Sequence, residues 1–331
     1  MGKGIALQFK QRFPKNFGPY QTACRAGPVR LGEMFVVEVG TALVQPRYII
    51  NFPTKQHWKG KSRLADIKSG LVSLVAEIRG RGIRSIAIPP LGCGNGGLDW
   101  AAVRPLIESS LGDLDDVQIL LFGPGGAPAP ASMPVGTEGP PMTRVRALLI
   151  RLLNLYSGFG HDVSQVEMQK LAYFLQVAGE GMRLRFTKNQ FGPHASKLKF
   201  ALQRLEGHYI RGFGDLSGRS ELVLMPDAQA EAEAYMTGDP DAALRFDQVA
   251  ELIEGFETPY GMELLATVHW LARNQDPEAG RDPERAIALV QTWSDRKRLA
   301  FRAEHIRKAW RALAERGWID GSTLIVGPSR R

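Results

Sequence analysis

Apolar residues change their period several times along this chain, and each change marks an element. Leu64, Ile67, Leu71, Leu74, Val75 and Ile78 recur every three or four positions. That spacing predicts an amphipathic helix, with Ser62 as its expected N-cap and Gly80 and Gly82 as its stop. Short continuous apolar runs at Met34–Val39, Tyr48–Phe52, Ile83–Ile88 and Val117–Phe122 predict strands. The first two predict a hairpin; the last predicts a buried strand that closes the sheet. Ile5–Lys10 reads as a helix, and so does the run carrying Val103, Ile107 and Leu111, with Asp99 as its cap. Strand and helix alternate across residues 1–123, which predicts an α/β domain.

Residues 124–141 break the pattern. Gly and Pro dominate there and no periodicity survives, as in a tether between separately folded modules. Residues 142–331 read as a second, mainly helical domain. Val145, Leu148, Leu149, Leu152, Leu155 and Tyr156 form one helical stripe, and Val166, Gln169, Lys170, Tyr173 and Phe174 form another. Asn189–His194 is expected to turn ahead of a helix carrying Leu198, Leu202 and Leu205. A short strand at Glu221–Met225 and helices around Leu264–Leu271 and Ala303–Leu313 complete the reading.

Composition narrows the function. At 331 residues and 44% hydrophobic content, two buried cores are expected. No apolar run approaches the roughly 20 residues of a membrane helix, and no apolar signal region opens the chain. The two cysteines, Cys24 and Cys93, form neither a framework nor a metal spacing, so a cytoplasmic protein is expected. Six scattered histidines predict no metal site, and no cofactor is expected. Of the net charge of +8, residues 1–124 hold +7, with 16 Lys+Arg against 9 Asp+Glu. A polyanionic partner fits that balance; so does a merely basic soluble protein. Residues 227–257 hold nine acidic residues and one arginine. They read as a solvated surface, or alternatively as an anionic face for a basic groove on a partner.

The chemistry sits in loops. Gly92, Cys93, Gly94, Asn95, Gly96, Gly97 and Leu98 join an apolar strand to a helix. Bare amides at such a junction suit a phosphate, because they lack intrahelical partners and the helix dipole is positive there. A tight turn is the plain alternative. Cys93 reads as a small packing residue. Gly2, Lys3, Gly4 and Ile5 form a second glycine-to-helix junction, and two junctions can grip two parts of one nucleotide. Thr54 and Lys55 follow a strand end, where α/β proteins bind ligands.

Three segments in order, MGKGIALQF, INFPTKQHW and PPLGCGNGGLDW, resemble the macrodomain of DarG-type antitoxins. These are DNA ADP-ribosyl glycohydrolases related to the human terminal ADP-ribose protein glycohydrolase. The segments QKLAYFLQ and FGPHASKL resemble a Panacea-like, toxin-neutralising domain. The resemblance implies a three-layer α/β/α macrodomain followed by a mainly helical domain. It also implies removal of ADP-ribose from thymidine in single-stranded DNA and neutralisation of a DarT-like toxin. It makes Lys55 the catalytic residue, by attack on an opened ribose or by orienting charge. Gly2, Lys3, Gly4 and Ile5 then line the distal ribose and diphosphate. Thr54, Gly92 and Cys93 join that ADP-ribose site, and Gly94, Asn95, Gly96, Gly97 and Leu98 offer backbone donors. His57 and Trp58 are candidate base contacts.

Two departures from the family follow. The human relative has an aspartate where Gly96 aligns, and Asp99 is expected to cap a helix instead. Family members also carry a strand and an asparagine-rich loop ahead of MGKGIA. The expectation is a sheet short of its first strands, or translation that starts further upstream. If Met1 is the true start, hydrolysis is expected to be impaired while toxin binding survives. An ADP-ribose reader without catalysis, a hydrolase of protein or metabolite ADP-ribose esters, and a purely interacting antitoxin stand as the alternatives.

Overall fold

The computed structural model describes residues 4–41, 43–57, 60–125, 133–158, 160, 163–213 and 221–319. They group into two compact units, one drawn mainly from residues 1–138 and the other from residues 139–331.

In the first unit, α1 (Gly4–Arg12) is the expected opening helix. A further helix, α2 (Pro14–Ala26), was not signalled by any apolar stripe. Pro14 suits its first turn, where no amide partner is needed. Gly27, at φ +90°, ends it, and its amide donates to the Ala23 carbonyl at 3.0 Å. Strands β1 (Phe35–Glu38) and β2 (Tyr48–Asn51) form the expected antiparallel hairpin, with Val36 opposite Ile50. Asn16 of α2 is buried against Asn51 of β2. Asn51 Nδ2 donates to Asn16 Oδ1 at 2.8 Å and Asn16 Nδ2 returns a bond to Asn51 Oδ1 at 3.1 Å. Asn51 also donates to the Phe35 carbonyl at 2.9 Å.

Helix α3 (Leu64–Gly80), strand β3 (Ser85–Ile88), helix α4 (Trp100–Leu111) and strand β4 (Gln118–Leu121) follow. β3 and β4 pair in parallel, with Ile86 opposite Ile119. Ile67, Leu71, Leu74 and Ile78 of α3 and Val103, Ile107 and Leu111 of α4 pack with Ile88 into one core. The expectation of a buried strand at Val117–Phe122 is corrected. β4 alternates between exposed and half-buried positions, and Leu120 is 48% exposed. Helices cover only one face of the pair, so period two decides which side chains are hidden. Ser62 is corrected too. Arg63 occupies the N-cap of α3 without a side-chain capping bond. Ser62 stands one residue earlier, and its buried hydroxyl has no hydrogen-bond partner.

The second unit is mainly helical. α5 (Arg144–Gly158) and α6 (Gln165–Val177) carry the two expected stripes. Ser164 and Glu167 close a capping box on α6. The expected turn at Asn189–His194 is the tip of a hairpin, β5 (Thr187–Asn189) with β6 (Gly192–His194), ahead of α7 (Leu198–Leu205). β7 (Ile210–Arg211) pairs with β8 (Val223–Leu224). The acidic segment folds as α8 (Ala228–Met236) and α9 (Pro240–Ile253). α10 (Pro259–Asn274) is buried along most of its length. α11 (Pro283–Gln291), α12 (Asp295–Ala300) and α13 (Ala303–Glu315) complete the unit. No helix among the described residues is long and apolar enough to cross a membrane.

Candidate active site

The site is built where β2 ends and the loop between β3 and α4 turns. Phe52 leaves β2 and packs on α3, where Gly70 makes room: a Cβ there would lie 2.3 Å from the Phe52 ring. The chain then runs through Pro53 and half-buried Thr54 to Lys55. The Lys55 ammonium donates to the carbonyl of Asn95 at 2.8 Å and to that of Gly60 at 3.3 Å. Two segments 40 residues apart in sequence therefore meet through one side chain.

The glycine loop has a defined shape. Gly92 and Gly97 take positive φ, +73° and +75°, a region that side chains with a Cβ rarely enter. The Leu98 amide donates to the Gly92 carbonyl at 3.1 Å, Gly97 to Gly94 at 3.0 Å and Cys93 to Pro90 at 3.1 Å. These three amides, among them the expected ligand donors Gly97 and Leu98, thus face inward, onto the loop itself. The amides of Gly94, Asn95 and Gly96 have no hydrogen-bond partner among the described residues. The Gly96 carbonyl accepts from the Ser62 amide at 3.0 Å, so the loop is stitched to the start of α3.

Gly96 is buried, and its place admits no side chain. A Cβ there would lie 2.2 Å from both the Gly92 carbonyl oxygen and Ser62 Oγ. An aspartate cannot occupy this position in this loop shape. Asp99 caps α4 as expected, with Oδ1 accepting from the Ala101 amide at 3.0 Å. The Cys93 thiol is pushed above its usual pKa, first by burial and then by Asp99. It stays protonated and packs beside the core, which is not the state of a nucleophile.

The other expected site residues are less connected. Gly4 and Ile5 begin α1, and no hydrogen bond among the described residues joins them to the glycine loop. His57 is exposed, and its carbonyl accepts from the Gly60 amide at 2.9 Å. Gly2, Lys3 and Trp58 lie outside the described residues. Sequence reasoning missed the Asn16–Asn51 pair, which fixes β2 just ahead of Lys55. It also misread Ser62, which anchors the loop instead of capping a helix. Among the described residues no cluster of His, Cys, Asp or Glu has the makings of a metal site.

Comparison with known proteins bears on the whole chain. The macro domain family model matches residues 1–107. A Thermus aquaticus protein named DNA ADP-ribosyl glycohydrolase is 46% identical over 318 residues, which is 96% of this chain and 87% of that one. A Mycobacterium bovis protein of the same name is 39% identical over 313 residues, covering 90% of this chain and 87% of its own length. A Thermosipho africanus DNA ADP-ribosyl transferase–DNA ADP-ribosyl glycohydrolase fusion protein is 38% identical over 136 residues, 37% of this chain and 35% of the fusion.

Proposed function

The chain belongs to the DNA ADP-ribosyl glycohydrolases, and from that premise we propose that it hydrolyses the N-glycosidic bond between ADP-ribose and thymidine in single-stranded DNA. The observation that carries this reading is the Lys55 ammonium, held 2.8 Å from the Asn95 carbonyl of the glycine loop. The amides of Gly94, Asn95 and Gly96 are the donors for the diphosphate. Lys55 acts at the distal ribose. Water adds to the anomeric carbon, the bond to the base breaks, the base departs with its electron pair and a proton supplied by Lys55, and the proton that the water loses restores the Lys55 ammonium. The hydrogen bonds that Lys55 donates to two carbonyls favour proton donation over covalent attack. We assign residues 1–123 to this work, 124–141 to a linker and 142–331 to neutralising a DarT-like toxin in the cytoplasm. The fusion of transferase and glycohydrolase in the Thermosipho africanus relative supports that partnership. The exposed apolar face with Leu120 and Phe122 supports a three-layer α/β/α arrangement, because such a face calls for a further layer.

The test is release of ADP-ribose from modified single-stranded DNA by the parent and by Lys55→Ala. Release by the parent and its loss in the variant support the proposal. An ADP-ribose reader is the second reading, favoured by the lack of a carboxylate at Gly96. It predicts ADP-ribose binding with no release by either protein. Borohydride trapping of a ribose adduct on Lys55 would replace proton donation by covalent attack.

A further inference from the structure

We propose that helices α1 and α2 form a track for the phosphodiester backbone of the DNA strand whose ADP-ribose Lys55 acts on; this rests on the hydrolase reading above. Residues 1–32 contain six Lys and Arg and no acidic residue, the first being Glu33. Elsewhere in this unit, among the described residues, five of the six arginines are neutralised locally, Arg79 being the exception. Arg47 pairs with Glu38, Arg63 with Asp66, Arg81 with Glu77, Arg84 with Asp116 and Arg104 with Glu108. Among the described residues Lys10, Arg12, Lys15, Arg25 and Arg30 have no ion pair. All but Lys10, which is half-buried, are exposed. Unpaired like charges on two adjoining helices repel one another, and a polyanion relieves that repulsion.

Aromatic rings lie among these cations. Phe9 and Phe13 are 5.5 Å apart, Lys10 Nζ sits 4.4 Å over the Phe17 ring, and the Arg12 guanidinium is 5.7 Å from the Phe13 ring. All three rings are half-buried, so each keeps some surface on which a base can stack. Cations alternating with ring faces suit a single strand, whose phosphates and unpaired bases are both accessible. An acidic protein offers the charge but no bases, so it fits less well.

The track is fixed relative to the site. Lys15 adjoins Asn16, whose buried amide is locked to Asn51 by reciprocal hydrogen bonds. Asn51 ends the strand that leads to Lys55. A strand lying along α2 is therefore held in register with the reacting lysine by a rigid contact.

The experiment uses the full chain and a quadruple variant, Lys10→Gln, Arg12→Gln, Lys15→Gln and Arg25→Gln. A control with the same change in charge replaces the ion-paired Arg47, Arg81, Arg84 and Arg104 by Gln. Substrates are an ADP-ribosylated oligonucleotide of about ten nucleotides and the ADP-ribosylated nucleoside. The quadruple variant should lose roughly tenfold in kcat/KM on the oligonucleotide and keep the nucleoside rate. The salt slope of oligonucleotide binding should shrink by about 0.7 for each lost phosphate contact. An unchanged oligonucleotide rate, an equal loss in the control, or an equal loss on both substrates would overturn the proposal. Parent protein that cleaves neither substrate would refute the hydrolase reading alone. Anisotropy titration of the unmodified oligonucleotide then still decides the track: a roughly tenfold weakening specific to the quadruple variant supports it, and equal affinity overturns it. Tighter capture of an acidic peptide than of the oligonucleotide would assign the helices to a protein partner and overturn it too.

Discussion

Single residues in the loop make sharply different predictions. A methyl group at Gly96 meets a backbone carbonyl and a buried hydroxyl at 2.2 Å, and the carbonyl cannot move without moving Gly92. Gly96→Ala is expected to cost about 1–3 kcal/mol and to abolish ADP-ribose binding, read by thermal unfolding and calorimetric titration. Binding at parental affinity would mean that the loop shape is not needed. Ser62→Ala should behave in the opposite way. The hydroxyl is buried without a partner, and removing such a group costs nothing or stabilises. A helix cap would instead lose about 1 kcal/mol, so the melting temperature separates the anchor role from the cap role read from sequence. Lys55→Ala should melt with the parent, because its bonds to two loop carbonyls are partly solvated. A drop of several degrees would give Lys55 a structural share.

At the scale of elements, legibility followed the physics of each signal. α3 was readable because its apolar stripe faces a core of its own, and α4 because Asp99 announces its start. Asp99→Ala is accordingly expected to cost about 1 kcal/mol, measured by denaturant unfolding; an unchanged midpoint would remove the cap from the account. α2 left no comparable trace. It holds Pro14, Gly18 and Pro19 and buries only Asn16 and Ala23, so neither propensity nor periodicity marks it. Its polar anchor acquires meaning only through Asn51, 35 residues away, and a distant reciprocal pair has no local signature. The exposure of β4 escaped for a related reason. A continuous apolar run cannot say whether one face or both are covered. The site divides in the same way. The residue types at Lys55 and in the glycine loop were legible as motifs. Which loop amides point inward was not, because that depends on how Gly92 and Gly97 turn the backbone.

Across the whole molecule, the two units differ in what they bury. The first hides an amide pair, whereas the second hides charge. Lys170 donates to the Pro193 carbonyl at 2.9 Å, and Lys297 bonds Glu263 and, at 2.9 Å, Thr267. Burial is the leading cause that lowers Lys170 to about 7 and Lys297 to about 8; their neighbours' positive charges lower both further, and Glu263 opposes the shift. Both folded values lie below the unfolded lysine value near 10.4. Between those limits the unfolded chain binds more protons than the folded one, so stability rises with pH. The lysine penalty is complete below about pH 7 and is relieved as pH climbs towards 10. Buried His269, lowered to about 3 by desolvation first and Arg273 second, acts in the same direction on the acid side. There, stability is lost as pH falls from the ordinary histidine range towards 3. The second unit should therefore gain on the order of 3–4 kcal/mol between pH 7 and pH 9. In the full chain, hydrogen-exchange protection of the α6 and α10 amides, corrected for intrinsic rates, reads that gain. Lys170→Met should reduce the rise to the share of Lys297 while leaving the Pro193 carbonyl unpaired, at a cost of about 1–3 kcal/mol. Protection that is level from pH 7 to 9 in the parent, or a slope that survives in the double variant Lys170→Met with Lys297→Met, would show that these ammonium groups reach water. The first unit buries no such lysine among its described residues, so protection of the α3 amides should stay flat over the same window. That contrast within one molecule separates the effect of buried charge from any general response of the chain to pH.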